Sequence, residues 1–276
     1  SGGFLASNYN ITYTSGSLAI TARPITLTAN NRTKVYGDAL SLGNSAFTHT
    51  AGTFANSELA TAVTLTSANS YASSTTRAVG TNTNEVVPSL ATGTGNFLAS
   101  NYAITYVAGG LEITARPITI AADNRTKVYG DGLTLGTSAF TKTAGTYANS
   151  ELATAVTLTS TNGYDASTTH SVSTNTNEVV PSLATGTGGF LASNYNITYT
   201  SGSLAITARP ITLVADNRTK VYGDALSLGN SAFTHTVGTF ANSELATAVT
   251  LTSTNGHAAS TTRAVGTNNS EVVLSL

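Results

Sequence analysis

Short runs in which apolar and polar residues alternate recur along the whole chain, separated by residues typical of turns. In one such run, Tyr102, Ile104 and Tyr106 fall on one face, and a Gly-Gly pair separates this run from the next one at 111–114. Alternation with a period of two predicts half-buried strands. The glycine pair predicts a tight hairpin turn, because glycine accepts a positive φ.

The same reasoning predicts further strands at 25–29, 33–36, 47–50, 63–66 and 75–79. One short helix is predicted at 56–62, where Asn56 or Ser57 would cap the first turn and Glu58 would lie near the positive end of the helix dipole. We therefore predict a mainly β, β-grasp-like unit with one short helix.

These predicted elements repeat with a fixed period. The string Val-Tyr-Gly-Asp places its tyrosine at Tyr36, Tyr129 and Tyr222, so the spacing is 93 residues each time, without insertion or deletion. A unit of this length is too long for one coil of a solenoid and is typical of a self-sufficient domain. The sequence therefore predicts three tandem repeats of 93 residues.

The limits of the domains are predicted from the proline that follows each closing hairpin. Pro117 has no N–H and suits the start of a strand, which places a boundary between Thr114 and Ala115. The domains are then 22–114, 115–207 and 208–276, the last without its closing hairpin, and residues 1–21 are the closing hairpin of a preceding repeat. A register with the hairpin first, at 1–92, 93–185 and 186–276, stays open. No flexible spacer separates the units, which predicts an elongated, semi-rigid rod.

Composition excludes several classes of function. Charged residues make up 9% of the chain and the formal net charge is −1, which argues against binding to nucleic acid or to an anionic membrane surface. No apolar stretch is long enough for a membrane helix, so no membrane insertion is predicted in this segment. Cysteine is absent, which excludes disulfides, thiolate metal sites and thiol nucleophiles.

Comparison of the copies argues against catalysis. None of the four histidines is kept in all three copies; His49, for example, is replaced by Lys142 in the second. A serine nucleophile would therefore have no evident activator, and the few scattered acids do not suit a calcium site. We predict that the chain is not an enzyme and has no catalytic residue, cofactor or metal.

The charged residues that do recur lie mainly around the Tyr-Gly-Asp sequence, although Glu58 and Glu85 recur as well. We predict that Arg32, Lys34 and Asp38 pair across this turn and fix its geometry, or that Asp38 caps the backbone of the turn. A Lys34–Asn isopeptide bond assisted by a glutamate is a further hypothesis. The structural turn candidates are Arg32, Lys34, Tyr36, Gly37 and Asp38, with Tyr129, Gly130, Asp131, Tyr222, Gly223 and Asp224 in the later copies.

Two segments of each copy carry a family resemblance. The stretch from Arg23 to Asp38, together with the closing strings Asn-Tyr-x-Ile-Thr-Tyr and Leu-x-Ile-Thr, resembles the YDG/MBG-type tandem repeats of large, filamentous-haemagglutinin-like bacterial surface adhesins. The resemblance covers all three copies. It implies a small β-grasp-like fold in a secreted or cell-surface bacterial protein, and it supplies no active-site residue.

The predicted function is that of a structural stalk in a bacterial adhesin, extracellular filament or biofilm matrix. The alternative is a repeated, weak adhesive module that binds host or matrix glycans, with Tyr9, Tyr36 and Phe54 as stacking candidates. Self-association is a further prediction. Residues 1–21 of one molecule would complete the third domain of another, head to tail, because an open sheet edge recruits strands readily.

Overall fold

The computed structural model describes residues 2–275, which fall into two compact units. The first unit contains the residues up to Arg116 together with Ala148–Ser150 and Ser193–Tyr195. The second contains Pro117–Tyr147, Glu151–Ala192 and the residues from Asn196 onward. Ser1 and Leu276 lie outside the described range, so the predicted segments 1–21 and 208–276 each lack one residue of description.

Strands account for most of the regular structure of the first unit, and single 3₁₀ turns occur at Ala6–Asn8 and Ala99–Asn101. The strands are β1 (Arg23–Ala29), β2 (Arg32–Val35), β3 (Phe47–Gly52), β4 (Leu59–Ser67), β5 (Gly80–Thr94), β6 (Tyr102–Val107) and β7 (Gly109–Thr114).

Two sheets enclose the core of this first copy. The order β3-β1-β6 forms one sheet, in which β1 runs antiparallel to β3 and parallel to β6. The order β2-β7-β5-β4 forms the other, in which β2 and β7 are parallel. Strands β1 and β6 lie against β5. Ile25 and Leu27 of β1 are buried with Leu111 and Ile113 of β7, while the residues between them are more exposed. The alternation in the sequence thus corresponds to the pleat of these strands, and the mainly β fold class is confirmed.

The prediction of a closing hairpin is wrong, because its two strands form but do not pair with each other. Strands β6 and β7 form where expected, but they belong to different sheets, and the chain crosses from one sheet to the other at Ala108. Gly109 does not adopt a positive φ. It is needed for close approach, because a Cβ there would lie 2.5 Å from the carbonyl oxygen of Ala29 and 2.8 Å from that of Asn30.

Two other predicted elements are wrong. The short helix at 56–62 is absent, because Asn56 and Ser57 adopt left-handed φ values of 51° and 59° and β4 then pairs with β5 from Leu59 onward. The predicted strand at 75–79 is a loop, in which the Arg77 amide donates to Oγ of Ser74 at 3.1 Å. The strand of this region is β5, which begins at Gly80.

The second copy repeats both sheets, with the orders β10-β8-β13 and β11-β12-β14-β9 and a 3₁₀ turn at Ala192–Asn194. Its strands are β8 (Arg116–Ala122), β9 (Arg125–Val128), β10 (Phe140–Gly145), β11 (Leu152–Ser160), β12 (Ser173–Thr187), β13 (Tyr195–Thr200) and β14 (Gly202–Thr207).

The third copy is reduced to two strand pairs within the described residues. These pairs are β15 (Thr212–Ala215) with β16 (Phe233–Val237), and β17 (Thr250–Ser253) with β18 (Val272–Ser275). Residues 218–221, which correspond to β9, do not form a strand. In the first copy the final strands pair with the first ones, but the limits of the three domains stay a prediction.

Candidate functional site at the junction between copies

The Tyr-Gly-Asp sequence forms a turn at the end of β2. The amide of Asp38 donates to the carbonyl oxygen of Val35 at 3.1 Å, and Gly37 has a φ of +87°. The amide of Tyr36 donates to the carbonyl oxygen of Thr114, the last residue of β7, at 2.9 Å. The turn is therefore held at the point where the chain leaves one copy and enters the next.

Arg116, the first residue of β8, binds this turn. Its Nε donates to the carbonyl oxygen of Tyr36 at 2.7 Å, and its guanidinium forms an ion pair with the carboxylate of Asp38. The prediction that Asp38 pairs with Arg32 or Lys34 is therefore wrong. A two-point contact of this kind fixes the guanidinium in direction as well as position, because its donors form a rigid fork.

Gly37 is required by the close approach of the second copy. A Cβ at this position would overlap the Cβ of Ala148 and lie 3.2 Å from the guanidinium of Arg116. Next to it, the side-chain amide of Asn149 donates to the Thr75 carbonyl oxygen at 2.9 Å. The ring of Tyr36 meets the ring of Tyr195 edge to face, with centroids 5.8 Å apart. All of these residues belong to the first compact unit.

The same contacts recur within the second unit, 93 residues on. Nε of Arg209 donates to the Tyr129 carbonyl oxygen at 2.8 Å, and the guanidinium pairs with Asp131. A Cβ on Gly130 would overlap that of Ala241. The amide of Asn242 donates to the Thr168 carbonyl oxygen at 2.9 Å, as Asn149 does to Thr75. The same set of contacts therefore forms at both junctions.

A further hydrogen bond is seen in the second junction. The hydroxyl of Tyr129 donates to the carboxylate of Glu244. This hydrogen bond is the main reason why the pKa of Tyr129 is raised, with a smaller contribution from burial of the ring.

The turn of the third copy has the same backbone but is open. The amide of Asp224 donates to the Val221 carbonyl oxygen at 3.1 Å, and Gly223 has a φ of +94°. A Cβ on Gly223 would meet nothing within 4 Å, and Tyr222 is 63% exposed, compared with 3% for Tyr36. The turn of the third copy therefore has the backbone conformation of the two bound turns, but the surface that binds arginine in those turns is exposed to solvent.

The other predicted turn residues stabilise the backbone inside each copy. Arg32 donates to the carbonyl oxygen of Leu42 at 2.7 Å. The buried amine of Lys34 donates to the carbonyl oxygens of Tyr71, Ala72 and Ser74. These acceptors match the three N–H donors of an ammonium group. Burial lowers the pKa of Lys34, opposed by the nearby charge of Asp38. The isopeptide hypothesis gains no support from this geometry. Lys127 and Lys220 make the same contacts.

Glu85 has a structural role that the sequence did not indicate. Its fully buried carboxylate accepts hydrogen bonds from Oγ of Ser67, from the amide and side chain of Asn69, and from the amide of Tyr71. Burial acts to raise the pKa of this carboxyl, but the hydrogen bonds outweigh it and the pKa is lowered. The equivalent Glu271 has a pKa of about 2, chiefly because Ser253 donates to it. In the sequence, only one feature pointed to this role: Glu85 recurs in all three copies of a chain that has few charged residues.

The three aromatic residues considered for glycan stacking have different surroundings. Tyr9 is exposed and stacks on Phe4, with ring centroids 5.2 Å apart, whereas Tyr36 is buried. The ring of Phe54 packs on those of Phe97 and Tyr102. The hydroxyl of Tyr102 donates to Glu58 at 2.7 Å and accepts from the amide of Ala55 at 3.0 Å. Tyr102 thereby positions the loop that carries Ala55 and Asn56, the counterparts of Ala148 and Asn149.

The described residues hold no group of three or more His, Asp or Glu side chains placed to bind a metal ion. Between residues 2 and 275, no helix is long and apolar enough to cross a membrane.

Comparison with known families adds a decisive match. The family model described as the MBG domain (YGX type) matches residues 25–112, a range that begins in β1 and ends in β7. This match covers about a third of the chain and makes residues 25–112 similar to an MBG domain. The one Tyr-Gly pair in the matched range is Tyr36-Gly37, which is the turn that Arg116 binds. MBG domains are typical of extracellular, adhesin-like proteins. The chain matches no curated protein and no solved structure.

Proposed function

We propose that the chain is a non-enzymatic spacer, a stalk segment of a secreted or cell-surface bacterial adhesin. The observation that carries this proposal is the junction. The contacts of Arg116 with Tyr36 and Asp38 are repeated by Arg209 with Tyr129 and Asp131.

Each copy contains both halves of this junction. The turn follows the second strand, whereas the arginine begins the first strand, so one copy can bind a predecessor and a successor at the same time. Repetition then adds length without any new surface chemistry. Extension by repeating one junction is expected of a spacer.

The use of the buried charges also supports a structural role. The carboxylate of Glu85 and the amine of Lys34 are both engaged by groups of their own copy. Groups held in this way are poorly suited to proton transfer or to binding a ligand, because each of their hydrogen-bonding positions is already occupied.

Small-angle X-ray scattering tests the proposal. We expect a maximum dimension on the order of 100 Å for three domains of this size linked in series. Substituting Gly37→Val and Gly130→Val should broaden the distance distribution, because the added side chains displace Ala148 and Ala241 from the turns. Gly223→Val is the matched control, since its turn faces open space. Each variant is measured over a concentration series and extrapolated to infinite dilution, which removes any contribution from self-association.

A compact particle of much smaller maximum dimension would contradict a spacer. An extended particle that does not respond to the two junction substitutions would show that these turns do not set the stiffness. Titration with glycans tests the adhesive alternative. Two of its three candidate residues argue against it, because Tyr36 is buried and the ring of Phe54 packs on Tyr102.

Self-association, head to tail, is part of the same proposal. Its support is the junction itself, because each of the first two copies presents a turn that binds the arginine at the start of the following copy.

A further inference from the structure

The loop between β4 and β5, residues 68–79, carries two groups that the second copy binds. The carbonyl oxygen of Thr75 accepts from the side-chain amide of Asn149 at 2.9 Å, and the backbone amide of Val79 donates to Oδ1 of Asn194 at 3.2 Å. All four residues belong to the first compact unit. Both contacts use backbone atoms of the loop, so they do not depend on its side chains.

Two buried charges of the first copy hold the backbone of this loop. The carboxylate of Glu85, on β5, accepts from the backbone amides of Asn69 and Tyr71, each at 3.1 Å. The ammonium group of Lys34, on β2, donates to the carbonyl oxygens of Tyr71, Ala72 and Ser74. An anion thus fixes amides of the loop and a cation fixes its carbonyl groups. The last acceptor of the lysine directly precedes Thr75, which the second copy binds.

The side chains of the loop vary between copies, whereas these backbone contacts do not. Residues 68–79 and 161–172 differ at six of twelve positions. Lys127 and Glu178 nevertheless bind the backbone of the second loop as their counterparts bind the first. This second loop also accepts from the side chain of Asn242 at 2.9 Å, the distance found in the first junction. The constancy is expected if the buried charges, and not the varied side chains, set the loop backbone.

We infer that Lys34 and Glu85 are positioning residues of the junction, which fix the loop in the conformation that the next copy binds. A buried charge that loses its hydrogen bonds carries a large penalty, so the two groups hold the loop in one conformation. A loop that is already ordered costs less to bind. Copies with different loop sequences can therefore follow one another in the chain. This inference rests on the proposed spacer function and describes how its junctions are kept rigid.

Distances between pairs of spin labels, measured by pulsed electron paramagnetic resonance, test the inference. The chain has no cysteine, so introduced cysteines are labelled specifically. Thr64→Cys with Thr157→Cys labels the first two copies, and Thr157→Cys with Thr250→Cys labels the second and third. These threonines are equivalent and exposed. We expect a narrow distance distribution for each pair in the otherwise unchanged chain.

Glu85→Gln and Glu178→Gln are a matched pair of variants. Each replaces one acceptor oxygen with an NH₂ group, which cannot accept from the amides of the loop. Glu85→Gln should at least double the width of the first distribution and leave the second unchanged, whereas Glu178→Gln should do the reverse. Lys34→Met removes the three donors and should act on the first distribution as Glu85→Gln does. It provides a second variant if the glutamine impairs folding.

Two controls separate positioning from stability. Leu27→Ala removes a fully buried side chain of β1 in the same copy, and it should lower the urea midpoint without broadening the first distribution. Exchanging the six varied residues of 68–79 for those of 161–172 should leave both distributions unchanged.

The inference is overturned if the first distribution stays narrow in Glu85→Gln and Lys34→Met. It is also overturned if Glu85→Gln and Glu178→Gln broaden both distributions alike, if Leu27→Ala broadens the first as much as they do, or if the loop exchange broadens it. All of these results would leave the spacer function intact. A broad distribution in the otherwise unchanged chain would contradict both the inference and a semi-rigid spacer.

Discussion

The second and third copies have nearly the same sequence but differ in the amount of sheet they form. In the second copy β8 extends over Arg116–Ala122 and β9 over Arg125–Val128, whereas the corresponding β15 has four residues and residues 218–221 form no strand. The difference follows from β13 and β14, which in the second copy pair with β8 and with β12 and β9, respectively. Strand formation here depends on a partner about 80 residues away and not on local propensity.

The parts that do not depend on these strands are the same in both copies. Lys220 still binds the carbonyl oxygens of His257, Ala258 and Ser260, and Glu271 still accepts from Ser253. The third copy therefore keeps the hydrogen bonds of its buried lysine and glutamate without the counterparts of β13 and β14. Comparison of the two copies shows that the hydrogen bonds of Lys220 and Glu271 form locally, whereas full-length strands require pairing with strands distant in sequence.

The largest effect is expected when the third copy receives its own strands. Appending the sequence of residues 184–207 after Leu276 should bury several large apolar side chains and stabilise this copy by about 5 kcal/mol. Hydrogen exchange of β15 and β17 should slow by about three to four orders of magnitude and approach that of β8 and β11. Exchange that stays fast would show that the sequence of the third copy itself is deficient.

A smaller effect is expected from one substitution made in two places. Leu204→Ala removes a fully buried side chain of β14 and should lower the free energy of unfolding by about 3 kcal/mol. Leu18→Ala changes the same residue in the exposed copy of that sequence and should change it by less than about 0.5 kcal/mol. Urea unfolding of dilute protein measures both. Equal losses would mean that the segment at 9–21 is already folded in the monomer.

The two states of the Tyr-Gly-Asp turn can be compared in the same way. Gly37→Ala and Gly223→Ala impose the same left-handed strain, which costs about 1 kcal/mol. Gly37→Ala also forces its Cβ against Ala148 and should cost about 1–2 kcal/mol more. Thermal unfolding of the two variants gives the difference. A larger loss for Gly223→Ala would mean that the turn of the third copy is also packed.

Acid should affect all three copies alike, because each has the buried glutamate. The pKa of Glu271 is about 2 instead of the usual 4.5, and those of Glu85 and Glu178 are also lowered. The unfolded chain therefore binds protons first as the pH falls below about 4.5, so stability is full above that pH and declines towards pH 2. Urea midpoints at pH 7, 4 and 3 should decrease. Glu271→Gln should flatten the decline, unlike Glu112→Gln on the exposed face of β7, and a midpoint that rises in acid would contradict this assignment.

Sequence reasoning located the strands that have simple alternation and missed the one that does not. Strand β5 contains Pro88 and the left-handed residues Asn84 and Leu90, with register shifts along β4, so its side chains show no period of two. The segment at 102–114 was correctly assigned to strands, but alternation does not specify a partner. Only the tertiary structure places β6 and β7 in separate sheets.

The junction was only partly predictable for a similar reason. The recurrence of Gly37 and Asp38 marked the turn as special, and the recurrence of the Ala-Arg-Pro string marked Arg116. Their association requires that β7 ends beside β2, which is a long-range contact. A pairing between neighbours in sequence, such as Asp38 with Lys34, was the simpler expectation, and it was wrong.

The parallel pairing of β1 with β6 also determines how a copy responds to tension. Load enters a copy at Arg23, the first residue of β1, and leaves at Thr114, the last residue of β7, so β1 is pulled along its length against β6, and β7 against its parallel neighbour β2. Six residue pairs from Arg23↔Tyr102 to Thr28↔Val107 then bear the load together in shear. An antiparallel hairpin loaded at its open end would break one pair at a time. Parallel pairing between the first and the last strands of a copy thus allows each complete copy to resist extension.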